Sequence, residues 1–157
     1  MKRRILQILG VAAIATVGMT SCDTDACKDV TCENGGLCVD GDCVCVTGYE
    51  GTNCETLVAN TFIGSFNVNE TCSQSTDTYA VTIAAGGTDV QVTISNLYDA
   101  GLVVTGTVNA NGGITIDSQT FGTGQISGSV TENGGVLTFN FTITVGGQSD
   151  TCTATST

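Results

Sequence analysis

The run Leu137-Thr138-Phe139-Asn140-Phe141-Thr142-Ile143-Thr144-Val145 alternates apolar and polar residues without a break. Successive side chains of a β-strand point to opposite faces, so a period of two marks a strand with one buried and one wet face. Outward from this run the same period recurs at Phe62-Gly64-Phe66-Val68, Tyr79-Val81-Ile83, Val90-Val92-Ile94, Leu102-Val104-Gly106-Val108, Ile114-Ile116 and Ile126-Gly128-Val130, with a last strand near Asp150–Thr155. Gly86-Gly87, Asp99-Ala100-Gly101, Asn111-Gly112-Gly113, Asn133-Gly134-Gly135 and Gly146-Gly147 separate them and read as turns. Thr, Val and Ile at this density favour strand over helix. Short connections between neighbours mean antiparallel hairpins. The expectation is an all-β, up-and-down meander of about eight strands over residues 60–157, curled into a barrel or a flattened sandwich. Gly106 and Gly128 fall on the inward face, where a missing side chain permits close packing.

The N-terminal part differs. Of nine cysteines, seven lie in residues 22–56. Cys27, Cys32, Cys38, Cys43, Cys45 and Cys54 crowd into a segment too short and too polar to build a core, which therefore needs staples. A zinc cluster would show paired C-x2-C elements, and none is present. Six cysteines allow 15 pairings, and spacing alone does not choose among them.

Before this segment, Lys2, Arg3 and Arg4 precede an uncharged run, Ile5–Met19, of about 15 residues, where a membrane-spanning helix needs roughly 20. A basic stretch followed by a short apolar one is the pattern of a secretory signal. Met19-Thr20-Ser21-Cys22 resembles a lipobox, with Met in place of the usual Leu. The resemblance implies a signal peptide over residues 1–21, acylation of Cys22 and a short lipidated linker over 22–26. The alternative is an ordinary secretory signal that leaves Cys22 a spare thiol. Setting Cys22 aside leaves eight cysteines, an even number suited to an oxidising compartment.

The run from Cys27 to Cys54 resembles an epidermal-growth-factor-like (EGF-like) domain, assigned to residues 27–55. Asn34-Gly35-Gly36-Leu37-Cys38, Cys43-Val44-Cys45 and Gly48-Tyr49-Glu50-Gly51-Thr52-Asn53-Cys54 stand in register with three motifs of that family. The resemblance implies the pairs Cys27–Cys38, Cys32–Cys43 and Cys45–Cys54. Calcium-binding members carry acidic residues at positions matched here by Asp23, Asp25 and Asp40, but Ala26 replaces the expected Glu or Gln and the aromatic is missing. No metal is expected, and the carboxylates read as a solvated linker. Cys72 follows the first strand of the meander and Cys152 lies in the last. Pairing them would join its two ends, and a loop of roughly 80 residues implies about 4–5 kcal/mol in the chain-entropy account. The meander itself is similar to small lipocalin-like domains of Bacteroidetes surface lipoproteins, although Gly64-Ser65-Phe66 lacks the Trp of true lipocalins. In that group acidic residues soon after the acylated Cys resemble a surface-export signal, a second reading for Asp23 and Asp25.

The chemistry is bounded by absences. There is no His anywhere, so Ser–His, Cys–His and His–metal sites are excluded. Past residue 21 the chain keeps all 15 acidic residues against a single Lys, Lys28, a formal balance of −14. Such a chain will not bind nucleic acid or anionic lipid by charge. Glu70, Asp77, Asp89, Asp99, Asp117, Glu132 and Asp150 fall mostly at turns or on outward strand positions and read as residues that confer solubility, and the sequons at Asn69 and Asn140 as chance matches. The resulting expectation is a binding or structural module, not an enzyme and without cofactors, held at the bacterial outer membrane by lipid and facing the cell surface. Its partner would be a protein or glycan. The rivals are a carrier of a small apolar ligand and a carboxylate-dependent hydrolase.

Overall fold

The computed structural model describes residues 26–157. The expected signal peptide, Cys22, Asp23 and Asp25 lie outside the described residues. The described chain begins with a small cysteine-rich module. Its strands β1 (Leu37–Val39) and β2 (Asp42–Val44) form one hairpin, and β3 (Tyr49–Glu50) pairs with β4 (Thr56–Leu57). Cys27 bonds Cys38, Cys32 bonds Cys43 and Cys45 bonds Cys54. These bonds take the place of a core: of the module's residues before Leu57, only Gly48 and Cys54 are buried.

Eight strands follow: β5 (Gly64–Cys72), β6 (Thr76–Ala85), β7 (Gln91–Leu97), β8 (Leu102–Val108), β9 (Ile114–Phe121), β10 (Gly124–Asn133), β11 (Val136–Val145) and β12 (Gln148–Ser156). They close into an antiparallel barrel in sequence order, with β12 pairing β5. The alternation in the sequence is the reason. Leu137, Phe139, Phe141 and Ile143 on β11 are buried, and so are Val81 and Ile83 on β6 and Val92, Ile94 and Leu97 on β7. At about 25 cal/mol per Å² of apolar surface removed from water, such a face stabilises the barrel strongly. Ideal Cβ atoms built at Gly106 and Gly128 would lie 2.3 Å from Ile114 Cγ2 and from Asn140 O, so both positions require glycine for the approach of the neighbouring strand.

Two seams close the barrel differently. Cys152 stands directly opposite Cys72, and their disulfide fastens β12 to β5. The β8–β9 ladder holds only Thr107↔Thr115 and Val108↔Ile114. Where it stops, the amide of Gln119 bridges: Oε1 accepts from the Thr105 N–H at 2.9 Å, and Nε2 donates to the Thr105 carbonyl at 2.6 Å. The side chain thus satisfies backbone groups that would otherwise form an open edge.

Phe62, expected on the first strand, precedes it. It follows a 3-10 turn, Val58–Thr61, and is fully buried at the end of the barrel. Val90, expected on the third strand, sits in the turn before β7. This turn meets the cysteine-rich module: Tyr49 Oη donates to Asp89 Oδ2 at 2.7 Å, and a Cβ at Gly48 would lie 2.3 Å from Val90 Cγ1. The module therefore rests on the end of the barrel that carries the β6–β7 and β8–β9 turns.

Candidate functional site

The opposite end, the mouth, carries the β5–β6, β7–β8, β9–β10 and β11–β12 turns. Strand parity decides what points into it. On β5, Val68, Glu70 and Cys72 share the inward face, which corrects the solubility role expected of Glu70: it is 4 % exposed and is the exception among acidic residues that mostly lie at turns or outward. A buried carboxylate requires hydrogen bonds. Tyr79, inward on β6, supplies one by donating its hydroxyl to Glu70 Oε2, and that hydroxyl accepts the Tyr98 N–H at 2.9 Å. Burial is the main cause raising the Glu70 pKa above the ordinary carboxylate value; the Tyr79 hydrogen bond opposes it, and Asp77, Asp150 and Asp99 add to it. Burial, then the bond to Glu70, raises Tyr79 strongly.

Tyr98 follows the last residue of β7 and is held in the left-handed region, φ +63°. That conformation is unfavourable for an aromatic residue and persists only where the surroundings determine it. Here they do. The Asn96 amide donates to Ala80 O at 2.9 Å and accepts from the Gly101 N–H at 3.0 Å, bracing a bulge between Ser95 and Leu97. The Tyr98 ring then meets Phe141 edge to face, with centroids 6.2 Å apart, and its hydroxyl donates to Asp150 Oδ2 at 3.2 Å. β7 and β11 are four strands apart in a ring of eight, so Tyr98 crosses the bore and touches the opposite wall. Asp150 Oδ1 also accepts the Ser73 N–H at 2.9 Å, linking a third element to the plug.

Outside this plug lies an open cleft of about 290 Å³, lined by Tyr98 and Asp150 with Gln74, Gln148, Ile143 and Val145 among its walls. It combines amides, one carboxylate and an aromatic ring with a small aliphatic floor. Asp150 faces it, and Glu70 does not line it, so the two carboxylates do not share one cleft. Glu70 Oε1 lies 3.3 Å from Cys72 Sγ, but both sulfurs of the seam are committed to the disulfide and are not thiolate ligands. Asp40 is exposed in the β1–β2 turn; its proposed companions, Asp23 and Asp25, lie outside the described residues. Tyr98 carried no sequence signal, since a lone Tyr before Asp99-Ala100-Gly101 reads as turn. Glu70 did carry one: it keeps the parity of Phe66 and Val68. No protein-family model matches the chain, and no solved structure matches it at a significant level.

Proposed function

We propose that the chain is an exported lipoprotein, acylated at Cys22 and held on the surface of a bacterial outer membrane, in which an EGF-like module spaces a lipocalin-like barrel that binds a protein or glycan at its mouth. The observation that carries this reading is the plug. Tyr98 crosses the bore to Phe141, and the inward positions behind it are filled by the barrel's own side chains. A carrier of an apolar ligand needs a hollow of several hundred Å³ that surrounds the ligand. The open cleft outside the plug, with its amides and Asp150, instead suits a polar contact surface. It lies at the far end of the barrel from the module that leads back to Cys22, which suits presentation away from a membrane. Asp150 is the only carboxylate among the residues lining this cleft, so the cleft itself offers carboxylate-pair hydrolysis one acid and not two.

Native mass spectrometry of the protein purified from its own host tests the reading. The expected mass is that of the chain from Cys22 with four disulfides and acyl groups, and with no small apolar molecule. A retained apolar ligand would overturn the binding-module reading in favour of the carrier. Radioactive palmitate should label the wild type and not Cys22→Ala; a labelled Cys22→Ala variant would overturn the anchor.

A further inference from the structure

The cysteine-rich module exposes more apolar surface than its size explains. Leu37 stands opposite Val44 in the β1–β2 hairpin, while Cys38 stands opposite Cys43 on the other face. Leu37, Val39 and Val44 thus share one face, continued past the strand by Val46, and the four are 68, 45, 57 and 44 % exposed. Among the described residues the other large exposed apolar ones are Ile63, just before β5, and Val103, Val136 and Val145 on the barrel strands. Isolated exposed aliphatics need no explanation, but a contiguous face marks a contact.

Where the chain goes next identifies the contact. Ala26 packs beside the hairpin turn, its carbonyl 3.4 Å from where a Cβ would stand on Gly41. From Ala26 back to Cys22 is a tether of four residues, which spans at most about 14 Å when fully extended. On the reading of Cys22 as the acylated residue, on which this inference rests, the hairpin cannot leave the vicinity of the bilayer. We propose that the Leu37, Val39, Val44 and Val46 face lies on the bilayer surface, as a shallow second contact beside the acyl chains that seats the module instead of letting it swing. The depth is set by Asp42, which shares this face opposite Val39 at its turn end. A carboxylate there stays among the headgroups while the aliphatics reach the acyl boundary. Asp29, Glu33 and Asp40 outnumber Lys28 on the same module, so charge does not draw it to headgroups and the contact rests on the aliphatic side chains.

The chain has no Trp, so a single introduced one is a clean reporter. Leu37→Trp and, as a control on the barrel wall near the mouth, Val103→Trp are purified from the host and reconstituted into phosphatidylcholine vesicles with and without brominated lipid. The mass of the N-terminal peptide is read on the same samples. The expected result is a shift to shorter wavelength and loss of emission by bromine quenching for Leu37→Trp, little of either for Val103→Trp, and recovery of emission when Val44→Asp is added to Leu37→Trp. Acylated protein in which both reporters emit as if in water, unquenched, would overturn the proposal while leaving the anchor intact. An N-terminal peptide without acyl groups would remove the tether and the proposal together. A shift that appears in the lipid-free Leu37→Trp, Cys22→Ala protein and grows with its concentration would assign the face to a second copy of the chain and overturn the proposal as well.

Discussion

The cysteine-rich module and the barrel solve the same problem by different means. The module closes three loops of nine to eleven residues with disulfides and buries none of its large aliphatic side chains before Leu57. The barrel buries Phe62, Phe139, Phe141 and a set of Ile, Leu and Val, and uses one disulfide across a separation of 80 residues. The first is held by limiting its unfolded state, the second by removing apolar surface from water. A short chain cannot do the second, because too little of its surface becomes interior.

The largest test of this contrast is reduction. A mild reductant should unfold the module and spare the barrel, because Cys27, Cys38, Cys32 and Cys43 are part-exposed while Cys72 and Cys152 are buried with the core behind them. Hydrogen exchange read by segment should show residues 27–57 losing protection while Leu137–Ile143 keep theirs. Simultaneous loss in both would mean the two are one cooperative unit, joined through Tyr49 and Asp89. Next in size, Cys72→Ala with Cys152→Ala should lower barrel stability by about 4.5 kcal/mol in the chain-entropy account and leave the module's exchange unchanged. A loss well below this would show that the β5–β12 ladder already holds the seam. Smaller again, Gly128→Ala should cost about 1–3 kcal/mol through overpacking, since the added methyl meets Asn140 O and the Phe141 backbone. Denaturant unfolding measures it.

Much of the barrel was legible because its determinants are local and periodic. Leu137–Val145 states its own buried face, and Asn133-Gly134-Gly135 states its own turn. What was not legible depends on residues far apart in the chain. Nothing around Tyr98 predicts that its backbone turns left-handed so that the ring reaches Phe141, because the bond partners that hold it, Tyr79 and Asp150, arrive from other strands. Gln119 reads as an ordinary wet strand residue until β8 and β9 part beside it. Tyr49 and Asp89 are 40 residues apart, and their contact decides how the module sits on the barrel. Glu70 is a different case: parity placed it inside, and its charge argued it out. The structure follows parity, because Tyr79 offers the carboxylate a partner.

The smallest predicted effect belongs to that carboxylate. Its pKa is raised in the folded protein, so between the ordinary carboxylate range and the raised value the native state holds more protons than the unfolded one, and stability falls as pH rises through that window. Glu70→Gln keeps an acceptor for Tyr79 and removes the titration. It should raise the melting temperature at neutral pH and leave it nearly unchanged in acid; equal gains at both would show that burial of the charge is not the cause.

The seam disulfide also sets how the barrel bears load. A pull applied between Gly64 and Ser156 travels along β5 to Cys72, crosses one covalent bond to Cys152 and leaves along β12. Residues 73–151 lie outside that route. Tension between the two ends of the barrel chain would therefore be borne by β5, β12 and one covalent bond, and the chain between the two sulfurs would carry none of it.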